Sequence, residues 1–180
     1  MGSRTKAKNI TLIVSSVTLI LSVLPINYSA LGICVGCEWW SRVLYSFLHV
    51  NVIHCALNVW CILSVVFIYG ISPLRLLLAY LCACSFPVDT LGAFYPSLQM
   101  PTIGLSGVAF ALMGSISLEV KRVYYYQAWM VFYLIVGMLL PSINGWVHAY
   151  CYICGLIYSV VMYEYRGYYK RKRQTAGADK

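Results

Sequence analysis

Gly104-Leu105-Ser106-Gly107-Val108-Ala109-Phe110-Ala111-Leu112-Met113-Gly114 heads a segment that stays apolar as far as Leu118. Its serine stands close to a glycine on each side, which lets backbone or substrate approach the hydroxyl closely. A helix that begins near Ser106 leaves its first N–H groups unpaired, and these can bind an anion. Two readings stay open on this stretch alone. One is a nucleophile beside its own oxyanion donors. The other is helix packing, because Gly107, Ala111, Gly114 and Ser115 are the small residues that membrane helices use for close approach.

Working outward, the whole chain has the composition of a membrane protein. It is 61% hydrophobic and 10% charged, with a mean hydropathy of +0.76. A soluble domain of this size cannot hide that much apolar surface. Net charge is +8, but the basic residues are gathered at the chain ends and short turns, which argues for membrane orientation and against nucleic-acid binding. Of eight cysteines, Cys55, Cys61, Cys82, Cys84, Cys151 and Cys154 fall within apolar runs, where cysteine acts as a small hydrophobe. Cys34 and Cys37 fall in a loop.

The pattern predicts an all-α, polytopic bundle of six transmembrane helices over residues 10–165, between a basic head (1–9) and a basic, mobile tail (166–180). The first helix occupies the apolar run from Ile10 and ends at Pro25; the run is long for a signal peptide, and Ser29-Ala30 is a weak cleavage site. A loop to Arg42 follows, with Trp39 and Trp40 suited to the membrane–water boundary. The second helix spans about Val43 to Tyr69 and carries His49, His54 and Asn58. The third runs from Leu74 to Phe86, the fourth from Ser106 to Val120, the fifth from Ala128 to a stop at Pro141, and the sixth from Gly145 to Tyr165. With six crossings, Arg4, Lys6, Lys8, Arg75, Lys121, Arg122, Arg166, Lys170, Arg171, Lys172, Arg173 and Lys180 share one side, and only Arg42 lies on the other. The positive-inside rule makes the crowded side cytoplasmic, so both termini are expected there.

Polar groups inside a bilayer are costly, and each needs a partner or a task. Ser106 and His148 fall at similar depth near the outer ends of helices four and six. His54 and Asn58, four apart, share a face. Steps of helical spacing from His148 reach Cys151, Gly155 and Ser159; from Ser106 they reach Phe110, Gly114 and Ser117. Two small-residue stripes allow close contact, which can bring the serine hydroxyl to an imidazole nitrogen, the arrangement for nucleophilic acyl transfer. Phe110 can then pack on the His148 ring. His54 and Asn58 offer donors to a developing oxyanion. No aspartate is placed to orient His148, so the constellation is a dyad. Taken singly, each of these residues has an ordinary structural use as a hydrogen-bonding bridge between helices, and His49 reads as a partner for the loop.

Three motifs resemble those of the rhomboid family of intramembrane serine proteases: Gly104-Leu105-Ser106-Gly107; His49, His54 and Asn58 at H-x₄-H-x₃-N spacing; and His148 with Gly155 in the last helix. The resemblance covers nearly the whole chain as a minimal six-helix core. It implies Ser106 as nucleophile, His148 as general base, and His54, Asn58 and the Ser106 backbone as the oxyanion site, with Gly104 beside it. It implies membrane-protein substrates cut near the outer face, with the bilayer as the other partner; no nucleic acid, cofactor or metal is expected. The expected setting is a bacterial inner membrane. Three positions depart from the family pattern. Trp40 is followed by Ser41, with Arg42 one place late; Val66 or Gly70 stands where a glutamate is usual; and Cys151 replaces a glycine. Two other functions compete. One is an inactive rhomboid-like chaperone or substrate binder, although such relatives lose the serine or histidine that this chain keeps. The other is a disulfide oxidoreductase built on Cys34-Val35-Gly36-Cys37.

Overall fold

A computed structural model of the chain describes residues 2–26, 30–140 and 143–178, with side chains as far as residue 168. The elements in order are α1 (Ser3–Leu21), α2 (Trp39–Leu44) continued by a 3₁₀ turn (Tyr45–Phe47), α3 (Val52–Tyr69), α4 (Pro73–Cys84), α5 (Val88–Gly92), a 3₁₀ turn (Pro96–Gln99), α6 (Ser106–Ser115), α7 (Val123–Leu139) and α8 (Gly145–Ala178). Among the described residues β-pairing is limited to a single antiparallel bridge, Ile33 with Thr102. The fold is all-α; a helix stands at each of the six expected places (α1, α3, α4, α6, α7 and α8), and the short α2 and α5 come in addition, so the described residues hold more helices than the six expected. By length and composition, three stretches among the described residues can cross a membrane: Val52–Tyr69, Pro73–Gly92 and Gly145–Tyr168.

Several expected boundaries are corrected, each by an identifiable local interaction. The second helix starts at Val52, not Val43, because Asn51 caps it: its side chain accepts the His54 N–H at 2.8 Å. His49 therefore lies before the helix, in a turn. The expected first loop contains α2, opened by Trp39 and Trp40. Helix α1 begins at Ser3, taking in most of the basic head, and ends at Leu21, four residues before Pro25. Ser72 caps α4 and Pro73 opens it, so that helix starts one residue early, and it stops at Cys84. Helix α7 starts at Val123, ahead of Ala128; its expected stop, Pro141, lies outside the described residues, as do Ser29 and Lys180. The basic tail is a continuation of α8 as far as Ala178.

Helix α6 also falls short of its expected end at Val120: it has ten residues and ends at Ser115. Its terminator comes from another helix. Arg75 of α4 is buried (6% exposed) and donates to the Ser115 carbonyl and, through Nε, to Ser115 Oγ at 2.8 Å. A carbonyl near the end of α6 is thus satisfied by a guanidinium, and the Ser115 hydroxyl turns back onto Leu112 O at 2.7 Å. Arg75 also pairs with Glu119 at 3.1 Å, which Arg166 joins at 3.3 Å, and lies 5.2 Å from the Tyr158 ring centre. Sequence reading counts Arg75 only among the charges of the cytoplasmic side; in the structure it is the buried tie between α4 and the foot of α6.

Helix α6 is the axis of the bundle. Gly107, Val108, Ala109, Ala111, Leu112, Gly114 and Ser115 are buried, so it shows no single apolar face. It packs most closely on α8, then on α4 and α3, while α1 lies against α3 and α4, and α7 against α8. At Gly114 a Cβ would strike the Tyr152 carbonyl, and at Gly155 it would strike the Ala111 carbonyl. The α6–α8 contact is therefore backbone on backbone, as the small-residue stripes require.

Candidate active site

The end of the bundle opposite Arg75 is built by clips between loops. Ile33 and Thr102 exchange backbone hydrogen bonds at 2.9 and 3.0 Å, and Val35 N–H donates to Leu98 O at 3.1 Å. Arg42 forms an ion pair with Asp89 and donates to Phe86 O at 3.0 Å, and the Asp89 carboxylate also accepts the Gly36 N–H at 2.8 Å. Arg42, one place later than in the family pattern, thus still anchors the first loop, onto α5. At the head of α8, Asn144 caps the helix by accepting the Val147 N–H at 3.3 Å and donates to Thr102 Oγ1 at 2.8 Å. Tyr95 and Trp146 stack beside this link, with ring centres 3.8 Å apart.

These clips fix the segment Thr102–Leu105 and hence the start of α6. Gly104 has φ +133°, a backbone that disfavours any side chain, and its N–H donates to Tyr45 O at 2.9 Å. The Tyr45 hydroxyl crosses to Ala83 O of α4 at 2.9 Å. Leu105 N–H donates to His49 Nε2 at 3.2 Å. His49 must be neutral at that nitrogen to accept, and burial pushes its pKa down to about 4, with His54 adding to the effect.

With α6 held this way, Ser106 is its first residue, and Oγ lies 2.8 Å from Nε2 of His148 on α8. Phe110, one turn on, stacks on the His148 ring with centres 4.3 Å apart and planes 10° from parallel. A Cβ built on Gly137 of α7 would lie 3.6 Å from His148 Nδ1, so a glycine and not a carboxylate borders that edge of the ring. Facing the serine segment from α3, His54 Cε1 lies 3.1 Å and Asn58 Nδ2 lies 3.6 Å from the place a Gly104 Cβ would occupy. Asn58 Nδ2 is buried with no hydrogen-bond partner among the described residues. The ring of His49, though off the helix, meets that of His54 edge-on at 5.3 Å. The structure therefore brings Ser106, His148, Phe110, Gly104, His54 and Asn58 to one place.

A family model, described as the Rhomboid domain, matches residues 36–165. The chain belongs to the rhomboid family. This places it among membrane-embedded proteins with lipid surroundings and membrane-borne substrates. No curated protein matches this rhomboid.

Sequence reasoning missed Tyr45, Asn144 and the Arg42–Asp89 pair as supports of the site. Asn144 carries a local signal, a capping residue just before a glycine-led apolar run. Tyr45 and Asp89 carry none, since their partners are distant in sequence. The Cys34–Cys37 pair forms a tight turn, with Cys37 N–H on Cys34 O at 3.2 Å and Gly36 at φ +71°. The Cys34 thiol is pushed above its ordinary pKa by burial, then by Cys37 and Asp89.

Proposed function

We propose that this rhomboid is an intramembrane serine endopeptidase that cleaves transmembrane segments near the outer face of the membrane. The observation that carries the reading is the 2.8 Å approach of Ser106 Oγ to His148 Nε2, with the imidazole held by Phe110. In this reading His148 takes the serine proton as Oγ attacks the scissile carbonyl, then delivers it to the leaving amine. Water repeats the sequence to release the acyl group. The developing oxyanion has the unpaired Asn58 amide, His54 and the N–H groups at the start of α6 around it. Asn58 Nδ2 supports this role because a buried donor without a partner is costly unless it has a task.

The charge count favours cytoplasmic termini, which puts the Ser106 end of the bundle on the outer side, as for a bacterial inner membrane. A fluorophosphonate probe is the direct test. Labelling of the purified protein that vanishes in Ser106→Ala supports the protease. Absence of labelling in folded wild-type protein would return it to the inactive chaperone or substrate binder.

A further inference from the structure

The mechanism leaves a group of thiols unused. Cys82 lies on α4; Cys151 and Cys154 lie on α8. The two helices meet at the site end of the bundle, where Ser85 Oγ lies 3.1 Å from the Tyr150 hydroxyl and Phe86 meets the Tyr150 ring at 5.5 Å. They run in opposite directions, since α4 rises to this end and α8 leaves it. One turn down from Ser85 is Cys82, and one turn down from Tyr150 is Cys154, so the register of the Ser85–Tyr150 contact also pairs these cysteines. Cys151 and Cys154 are the thiols that Cys82 has for neighbours on α8. All three are free thiols; Cys151 is fully buried, whereas Cys82 and Cys154 are partly exposed.

We infer that Cys82 and Cys154 form an oxidative modification site, whose co-substrate is a peroxide and whose product is a disulfide linking α4 to α8. Hydrogen peroxide is small, neutral and able to enter the membrane region. The Cys82 sulfur attacks the O–O bond, giving a sulfenic acid and one water. The Cys154 sulfur then displaces the hydroxyl, forming the S–S bond and releasing a second water. Two thiols lose two electrons and two protons, and the peroxide takes up both. Cys82 reacts first because it stands alone on α4 opposite two α8 thiols, so its sulfenic acid has a resolving thiol in the same register.

The consequence rests on the protease reading. His148 precedes Cys151 by one turn and Cys154 by two on the same helix. A disulfide brings two sulfurs to about 2.05 Å, closer than contacting thiols, and so draws α8 towards α4. A catalytic pair tolerates a misplacement of only about 0.5 Å, and one of about 1 Å can cost on the order of 10²-fold. Oxidation of this pair therefore slows turnover at a site it does not touch.

The test treats the full-length protein in lipid nanodiscs with hydrogen peroxide, maps linked peptides by mass spectrometry without reduction, and follows cleavage of a transmembrane substrate. The expected result is a Cys82–Cys154 link, turnover at least tenfold lower, and recovery on adding dithiothreitol. Cys82→Ala should keep its turnover under peroxide, and Cys154→Ala serves if that variant misfolds. Cys34→Ser/Cys37→Ser should remain peroxide-sensitive. No link, a link to Cys151 in its place, unchanged turnover in the linked protein, or full sensitivity in Cys82→Ala each overturns the inference. If the reduced protein cleaves nothing, the protease reading fails, while the peptide map still decides whether the modification site exists.

Discussion

Gly114 and Gly155 face each other across α6 and α8 with no room for a methyl group on either, because each would drive a Cβ into a carbonyl oxygen of the opposite helix. The distance between the two backbones, and with it the reach of His148 to Ser106, is set by the absence of two side chains. Gly155→Ala and Gly114→Ala should each destabilise the protein by about 1–3 kcal/mol, the cost of overpacking a tight contact. Thermal unfolding in detergent measures this directly. Wild-type stability in both variants would show that the two helices can part without cost.

Ser106→Ala and His148→Ala should each abolish cleavage, and the double variant should be no worse than either single one, since the pair acts as a unit. Folding should be intact in all three, judged by unfolding curves. Turnover by folded Ser106→Ala ends the serine-protease reading.

Alanine at His54 or Asn58 should lower kcat by about 10²-fold, the order lost with one oxyanion donor, and change KM much less. Asn58→Ala has a further signature. Its Nδ2 has no partner to lose among the described residues, so stability should hold or rise while kcat falls. A variant that only unfolds more easily, with normal turnover per folded molecule, assigns the residue to structure.

Protonation of His49 should loosen the site. Its folded pKa, lowered by burial to about 4, lies below the ~6.5 of an unfolded histidine, so the unfolded chain takes up the proton first. Stability is full above about pH 6.5, falls as pH drops towards 4, and levels off below. The same protonation removes the acceptor for Leu105 N–H. Unfolding midpoints from pH 7 to 4 check the slope, which should shrink in a folded His49→Gln variant.

A peptide carbonyl in a membrane helix is already hydrogen-bonded and shielded, so the substrate must unwind before Ser106 can attack. Cleavage is expected near the outer end, after a small residue, in segments that carry glycine, proline or other breakers there. Leucine in place of outer breakers should slow cleavage sharply, and the same change near the cytoplasmic end should matter little. Equal cleavage of the leucine-stabilised substrate, or cutting in the cytoplasmic third, contradicts the mechanism.

The parts of the site legible in the sequence were those whose chemistry is rare in a bilayer or whose spacing is helical. Ser106, His148 and Asn58 stand out because polar groups in apolar runs are costly, and Phe110 is one turn from Ser106 on the same face. What escaped depends on contacts between residues distant in sequence. Nothing near Ser115 says that α6 stops there, because the group that ends it is Arg75, forty residues earlier. His49 looks helical until the Asn51 cap is recognised. The thiol pairing follows from how α4 and α8 sit side by side, which periodicity within either helix cannot supply.

The dominance of the α6–α8 contact also bears on the timing of synthesis. Helix α6 finds its chief partner in α8, which is made later, and Ser106 meets His148 42 residues further along the chain. At about 5–20 residues per second of translation, Ser106 exists for roughly 2–8 s before His148 has been made. The longer apolar helices that precede α8 can meet the insertion machinery and other nascent chains while Ser106 has no His148 beside it. On the proposed mechanism the arrival of α8 both covers α6 and arms Ser106, so that a molecule cut short before α8 would be a harmless one.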